Sequence, residues 1–177
     1  MQLIHVIPHV GREASGPSYT TLRLTRALAQ IGHDVHLLSL LDGQVDAGAH
    51  FRHDVYPKSR LLPGMWRSPE LWRALRRLAP RADVLHSHGM WVMPNVYPGW
   101  ASRLSSAPLV ISPHGTLSRW ALDHSRWKKR AVWAFLQGRV VRAAACLHAS
   151  AEAECLEFRQ LGLRQPVCVI PHGVDVP

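Results

Sequence analysis

The chain has 177 residues, 47% hydrophobic and 19% charged, with a formal charge of +9 and 12 histidines. That length suits one well-buried domain and is short for two, and no apolar run approaches the ~18 residues that a membrane span needs. Met1 to Pro8 lacks a basic n-region and reads as a strand rather than a signal peptide, while Cys146, Cys155 and Cys168 show no Cys-x-x-Cys spacing, so a cytoplasmic protein with reduced thiols is expected.

Leu3 to Ile7 reads as the first strand. Ser15-Gly16-Pro17 then opens a helix, with Ser15 at the N-cap and Pro17 near the first helical position. Leu24, Ala27, Leu28 and Ile31 have the spacing of a buried helical face, and Gly32 suits the position just past its end. His33 to Leu40 is the second strand, completing a parallel βαβ unit. Asp42 to Gly48 reads as loop, His53 to Tyr56 as a short strand, and Lys58 to Arg67 as a mobile loop. A helix from Ser68 to about Leu78 precedes a strand over Val84 to His86, and a helix near Asn95 to Leu104 follows. Leu109 to Ser112 is the next strand, Arg126 to Ala143 a helix, and Ala145 to His148 a strand. Ser150 is the expected N-cap of a helix ending near Gly162, with Glu152 and Glu154 in its first turn, and Val167 to Ile170 is the last strand. The alternation predicts an α/β fold, a doubly wound and mostly parallel Rossmann-like sheet with helices on both faces.

Two strand ends carry the chemistry. Leu109 to Ser112 runs into Pro113-His114-Gly115, and Asp83-Val84-Leu85-His86 runs into Ser87-His88-Gly89. Open α/β sheets bind ligands outside the carboxyl ends of their strands, so His114 and His88 are site candidates, with Gly115 allowing close approach. His86 and His88 share one face of a strand and have the look of a metal pair, although no acidic ligand follows them. The loop Gly11 to Ser18 opens a helix and reads either as a phosphate site or as an ordinary βα turn. From Arg119 to Arg142 there are seven basic residues and one acid, with Trp127 and Trp133 among them. That segment reads either as an interfacial helix on anionic lipid or as a core helix with a solvated basic end. No nucleic-acid motif and no Gly-x-Ser-x-Gly elbow is present, so neither a nucleic-acid partner nor a serine hydrolase is expected.

The order of Ser15-Gly16-Pro17, Leu28 to Val35, Asp83 to Gly89 with Trp91, Pro108 to Gly115, Ala151 to Glu154 and Val169 to Asp175 resembles the N-terminal half of family 4 retaining glycosyltransferases of the GT-B fold. The flavour is that of enzymes building bacterial surface polysaccharide or lipopolysaccharide. The resemblance implies that residues 1–170 form the acceptor-side domain, that 171–177 begin an interdomain linker, and that a donor-binding domain is missing. It further implies a catalytic role for His114 at the reacting sugar, an acceptor pocket with His88, Trp91 and Gly115, and donor-phosphate contacts at Gly16 and Ser15. The nucleotide-sugar is then a substrate, neither cofactor nor metal is needed, and an anionic membrane surface is a candidate partner of 119–142. The family's paired glycines in the first loop are Ser15-Gly16 here, and its linker Pro-Asn-Gly is Pro171-His172-Gly173. The residues alone also leave open a metal-dependent hydrolase using His86, His88 and His114, or a non-catalytic glycan- or lipid-binding module.

Overall fold

The computed structural model describes residues 1–10, 16–40, 51–61 and 63–173. Within them the chain runs β1 (Gln2–Val6), α1 (Gly16–Gln30), β2 (Asp34–Leu40), β3 (Arg52–Tyr56), α2 (Pro69–Leu78), β4 (Val84–His88), α3 (Met93–Ser105) and β5 (Leu109–Ser112). It continues through α4 (Arg119–Asp123), α5 (Arg126–Val132), a π-helical turn (Trp133–Gln137), α6 (Gly138–Arg142), β6 (Cys146–Ala149), α7 (Glu152–Gln160) and β7 (Val167–Val169). Ser15 and the expected loop from Asp42 to Gly48 lie outside the described residues.

The seven strands pair in the order β3-β2-β1-β4-β5-β6-β7, every pairing parallel. The order reverses between β1 and β4, which makes that junction the topological switch point. Successive side chains alternate between sheet faces. One face, with Ile4, Val6, Leu38, Leu40, Leu85, Leu109, Ile111 and Leu147, packs against Leu71 and Leu75 of α2, Val96 and Tyr97 of α3, Val140 and Val141 of α6 and Phe158 of α7. The other face is covered in part: Leu3, Val35 and Leu37 pack with Leu22, Leu28 and Ala29 of α1. Helices therefore stand on both faces, as the alternating pattern predicts.

Local signals explain most boundaries. Ser68 caps α2 by accepting from the Leu71 N–H at 3.2 Å, with Pro69 in the first turn. Three expectations fail. Helix α1 turns Ser18, Thr21 and Thr25 to the core, while Ile31 is exposed and Leu24 and Ala27 border a cavity. Small residues let the helix lie close to the sheet, so of the expected apolar stripe Leu28 alone packs on the core cluster. The α7 N-cap is Ala151, not Ser150; Ser150 instead donates its N–H and hydroxyl to the Glu154 carboxylate at 2.9 and 3.2 Å.

The expected single helix of 126–143 is interrupted by the π turn, which buries Gln137 and brings its Nε2 to the Asn95 carbonyl at 3.3 Å. Trp133 and Leu136 pack on the core from this segment, whereas Trp127, Ala131, Ala134 and Phe135 face outward.

Candidate active site

Parallel register gathers a histidine cluster at the switch point. His5 of β1 pairs with His86 of β4, and His88 lies two residues on, so all three point to one face. His88 in turn pairs with Ser112 at the end of β5. The result is a connected set: His5 Nδ1 and His88 Nε2 are 3.0 Å apart, and His88 Nδ1 and His114 Nε2 are 3.2 Å apart. A second set runs from His86 Nε2 to Ser112 Oγ at 2.7 Å, and from Ser112 Oγ to His148 Nδ1 at 2.7 Å. His148 Nε2 meets the Ile170 carbonyl at 2.9 Å. His172 stacks on His114 with ring centroids 5.4 Å apart.

Burial is the dominant influence on these rings, because it disfavours the charged imidazolium. It pushes His5 down to about 4 and His86 and His88 well below 6.5, with neighbouring histidines adding repulsion to the last two. His114 falls to about 4 by burial and then by the proximity of His172 and His148. All four shifts favour the neutral imidazole, and His86, His88 and His114 border the cavity as donors or acceptors.

The cluster borders a cavity of about 660 Å³. Its walls include His86, His88, His114, His148 and His172 on one side and Thr20, Leu24 and Ala27 of α1 on the other. His114 sits at the carboxyl end of β5 with φ 55°, a left-handed conformation that costs free energy in a residue with a Cβ. Gly115 follows at φ 72°. That turn is braced by Glu154, a buried carboxylate whose Oε1 accepts from the Gly115 N–H at 2.8 Å. Asn95, fully buried, does the same for the end of β4 by donating Nδ2 to the His88 carbonyl at 2.8 Å.

The structure does not bring all the candidates together. His88 and His114 share the histidine-lined cavity, whereas Trp91 lines a second groove of about 480 Å³ with Leu117, Arg126, Lys129 and Trp133. Trp91 also stands at a positive φ, 78°, donating Nε1 to the Thr116 carbonyl at 3.3 Å, with the Lys129 ammonium 5.5 Å from its ring. One acceptor pocket holding both His88 and Trp91 is therefore not what forms. Gly16 is the exposed first residue of α1, with open space where a Cβ would stand. The metal set suggested by the sequence changes membership: His5, His86 and His88 each offer a nitrogen within 4.8 Å of the others, and His114 uses its Nε2 on the far nitrogen of His88. His5 and His148 were not singled out from sequence as site residues, and Glu154 was read only as a first-turn acid of its helix. His5 could have been found from the parallel register, since it is the strand neighbour of His86.

A family model described as a glycosyl transferase 4-like domain matches residues 15–173. No curated protein matches the sequence. Among solved structures, HepE from Anabaena, in complex with UDP and glucose, is similar at a TM-score of 0.73 and 18% identity over 99% of this chain and 45% of that one. The lipopolysaccharide outer core galactosyltransferase WaaB gives 0.66 at 13% identity, over 100% of this chain and 47% of that one. Sucrose-phosphate synthase from Thermosynechococcus elongatus gives 0.62 at 16%, over 98% and 48%. The chain thus spans just under half the length of these structures and shares their Rossmann-like fold. With the family model covering nearly all of its length, the chain belongs to the glycosyl transferase 4-like domain family.

Proposed function

We propose that this chain is the acceptor-side half of a glycosyltransferase that moves a sugar from a nucleotide-sugar to a glycan or lipid-linked acceptor, with retention. The observation that carries this reading is the strained His114 at the carboxyl end of β5, bonded to His88 and followed by Gly115, whose N–H donates to Glu154, on the rim of a cavity beside the switch point. In this reading residues 1–170 are the N-terminal domain, 171–177 begin the linker, and a second domain supplies the donor site across a cleft. His114 hydrogen-bonds the transferred sugar near its reacting carbon. Ser15 and Gly16 are the donor-phosphate contacts of this reading, and a phosphate oxygen takes the proton of the attacking hydroxyl, so positioning supplies most of the rate. HepE is described with UDP and glucose, which makes a UDP-hexose the first donor to try.

This reading calls for no metal cofactor: His5 Nδ1 faces His88 Nε2, and His86 Nε2 faces Ser112. No helix of the described residues is long and apolar enough to cross a membrane. A peripheral, cytoplasmic position on an anionic surface is supported by Trp120, Trp127 and Phe135, which are 84%, 74% and 76% exposed beside Arg119, Arg126, Lys128 and Arg130. Surface-glycan or lipopolysaccharide synthesis is the matching process, since those acceptors are lipid-linked.

The test uses the full-length protein with UDP-glucose, UDP-galactose, UDP-N-acetylglucosamine and GDP-mannose, reading nucleoside diphosphate release with and without a chelator. Turnover that survives chelation, and none from residues 1–177 alone, is the expected result. Turnover by residues 1–177 alone, or zinc-dependent hydrolysis, would overturn the reading.

A further inference from the structure

We propose that His88 and His5 are positioning residues that fix the orientation and tautomer of His114 through one buried chain of neutral imidazoles. This rests on the reading of His114 as a substrate-facing residue. A neutral imidazole has one N–H and one bare nitrogen. His114 spends Nε2 on His88 Nδ1, and His88 spends Nε2 on His5 Nδ1. Nδ1 is therefore the ring nitrogen that His114 keeps for a ligand.

The connectivity imposes a rule. Each bond joins the Nδ1 of one ring to the Nε2 of another, so both bonds exist only if all three rings carry the proton on the same nitrogen. Either all three are Nδ1–H, and His114 offers the ligand a donor, or all three are Nε2–H, and it offers an acceptor. A mixed set would set two N–H groups, or two lone pairs, against each other in a buried place where a lost bond goes uncompensated. His5 is 2% exposed and His88 1% exposed, and His5 does not line the cavity. The polarity of the group that meets the ligand is thus tied to the tautomer of a residue remote from it.

The neighbouring chain has its polarity set by an end that can only accept. The Ile170 carbonyl requires His148 Nε2–H, which leaves His148 Nδ1 to accept from the Ser112 hydroxyl. Ser112 then accepts from His86 Nε2–H. Both rings of that chain are Nε2–H. Among the described residues, the titratable groups facing His114 from other elements are His88, His172, His148 and, through the Gly115 N–H, Glu154.

Histidine-15N-labelled full-length protein at pH 7.5, read by two-bond proton–nitrogen correlation, tests this. The expected spectra show one shared tautomer for His5, His88 and His114, with His86 and His148 as Nε2–H. In His5→Phe, which keeps a flat aromatic ring without ring nitrogens, the tautomer ratio of His114 shifts by at least about twofold, because one bond that held it is gone. His88→Gln, whose amide both donates and accepts, retains the wild-type His114 signal, and His88→Ala does not. A mixed set of tautomers in the wild type, or an unchanged His114 in His5→Phe, overturns the proposal. Loss of the site reading shows separately: His114→Ala with normal turnover would remove that reading and leave the shared tautomer intact.

Discussion

Acidification should unfold this protein earlier than its carboxylates alone would allow. His5 binds a proton at about 6.5 in the unfolded chain but only at about 4 in the fold, where it is buried against His88. Between those values the unfolded chain binds more protons, so stability is full above pH 6.5 and drains away as the pH falls toward 4. At pH 5 this single group removes about 2 kcal/mol, rising to about 3 kcal/mol once both states are protonated. His86 and His88 shift in the same direction and deepen the loss. Against a total stability of about 5–15 kcal/mol, that is a large share. The assay is urea unfolding at pH 7.5 and 5.0, for the wild type and His5→Phe. The variant removes the titrating group and keeps an aromatic ring, so its fall between the two pH values should be smaller by about 2 kcal/mol. An identical pH dependence in the two proteins would refute the burial argument.

Gly99 of α3 faces Val140 of α6, and a Cβ there would stand 2.4 Å from Val140 Cγ1. Gly99→Ala should therefore cost about 1–3 kcal/mol in denaturant unfolding, and Gly99→Ala with Val140→Ala should lose less than the sum of the two single changes. Glu154→Gln leaves either the Gly115 or the Ser150 N–H facing an amide donor, so about 1–3 kcal/mol of stability should go, with slower turnover; wild-type stability and rate would refute the bracing role. Trp120→Ala and Trp127→Ala should unfold within about 0.5 kcal/mol of wild type, since both rings are exposed. The same variants should sediment less with vesicles containing anionic phospholipid, the wild-type contact weakening as salt rises; unchanged sedimentation would count against a membrane face.

Local pattern carried the fold well. The strand Leu109 to Ser112 matches its expected bounds, because an apolar run between Pro108 and Pro113 leaves little choice. The strand at Val84 runs two residues further than its apolar core, because His88 continues the pairing with Ser112, a partner that sequence does not display. Helix α1 misled for a similar reason. Its Leu24 and Ala27 look like core but border the cavity, and only the packing of Ser18, Thr21 and Thr25 on the sheet decides the face. The π turn at 133–137 was invisible because it inserts no unusual residue; it answers the burial of Gln137 against Asn95.

The site followed the same division. His114 and His88 were legible as strand-end histidines before glycines. Trp91 was read together with them, and its turn directs the indole to a different groove. His5 and His148 join the cluster only through lateral register, which links residues 83 and 36 positions from their partners. Glu154, expected to serve the α7 helix dipole, instead ties that helix to the turn after His114.

The central claim is that His114 meets the sugar being transferred. Full-length wild type and His114→Ala should be compared for nucleoside diphosphate release from the preferred sugar nucleotide, with urea unfolding alongside. The account predicts turnover reduced about a hundredfold or more with the unfolding free energy little changed, the pattern of a lost transition-state contact. Near-normal turnover in a folded His114→Ala protein would contradict it.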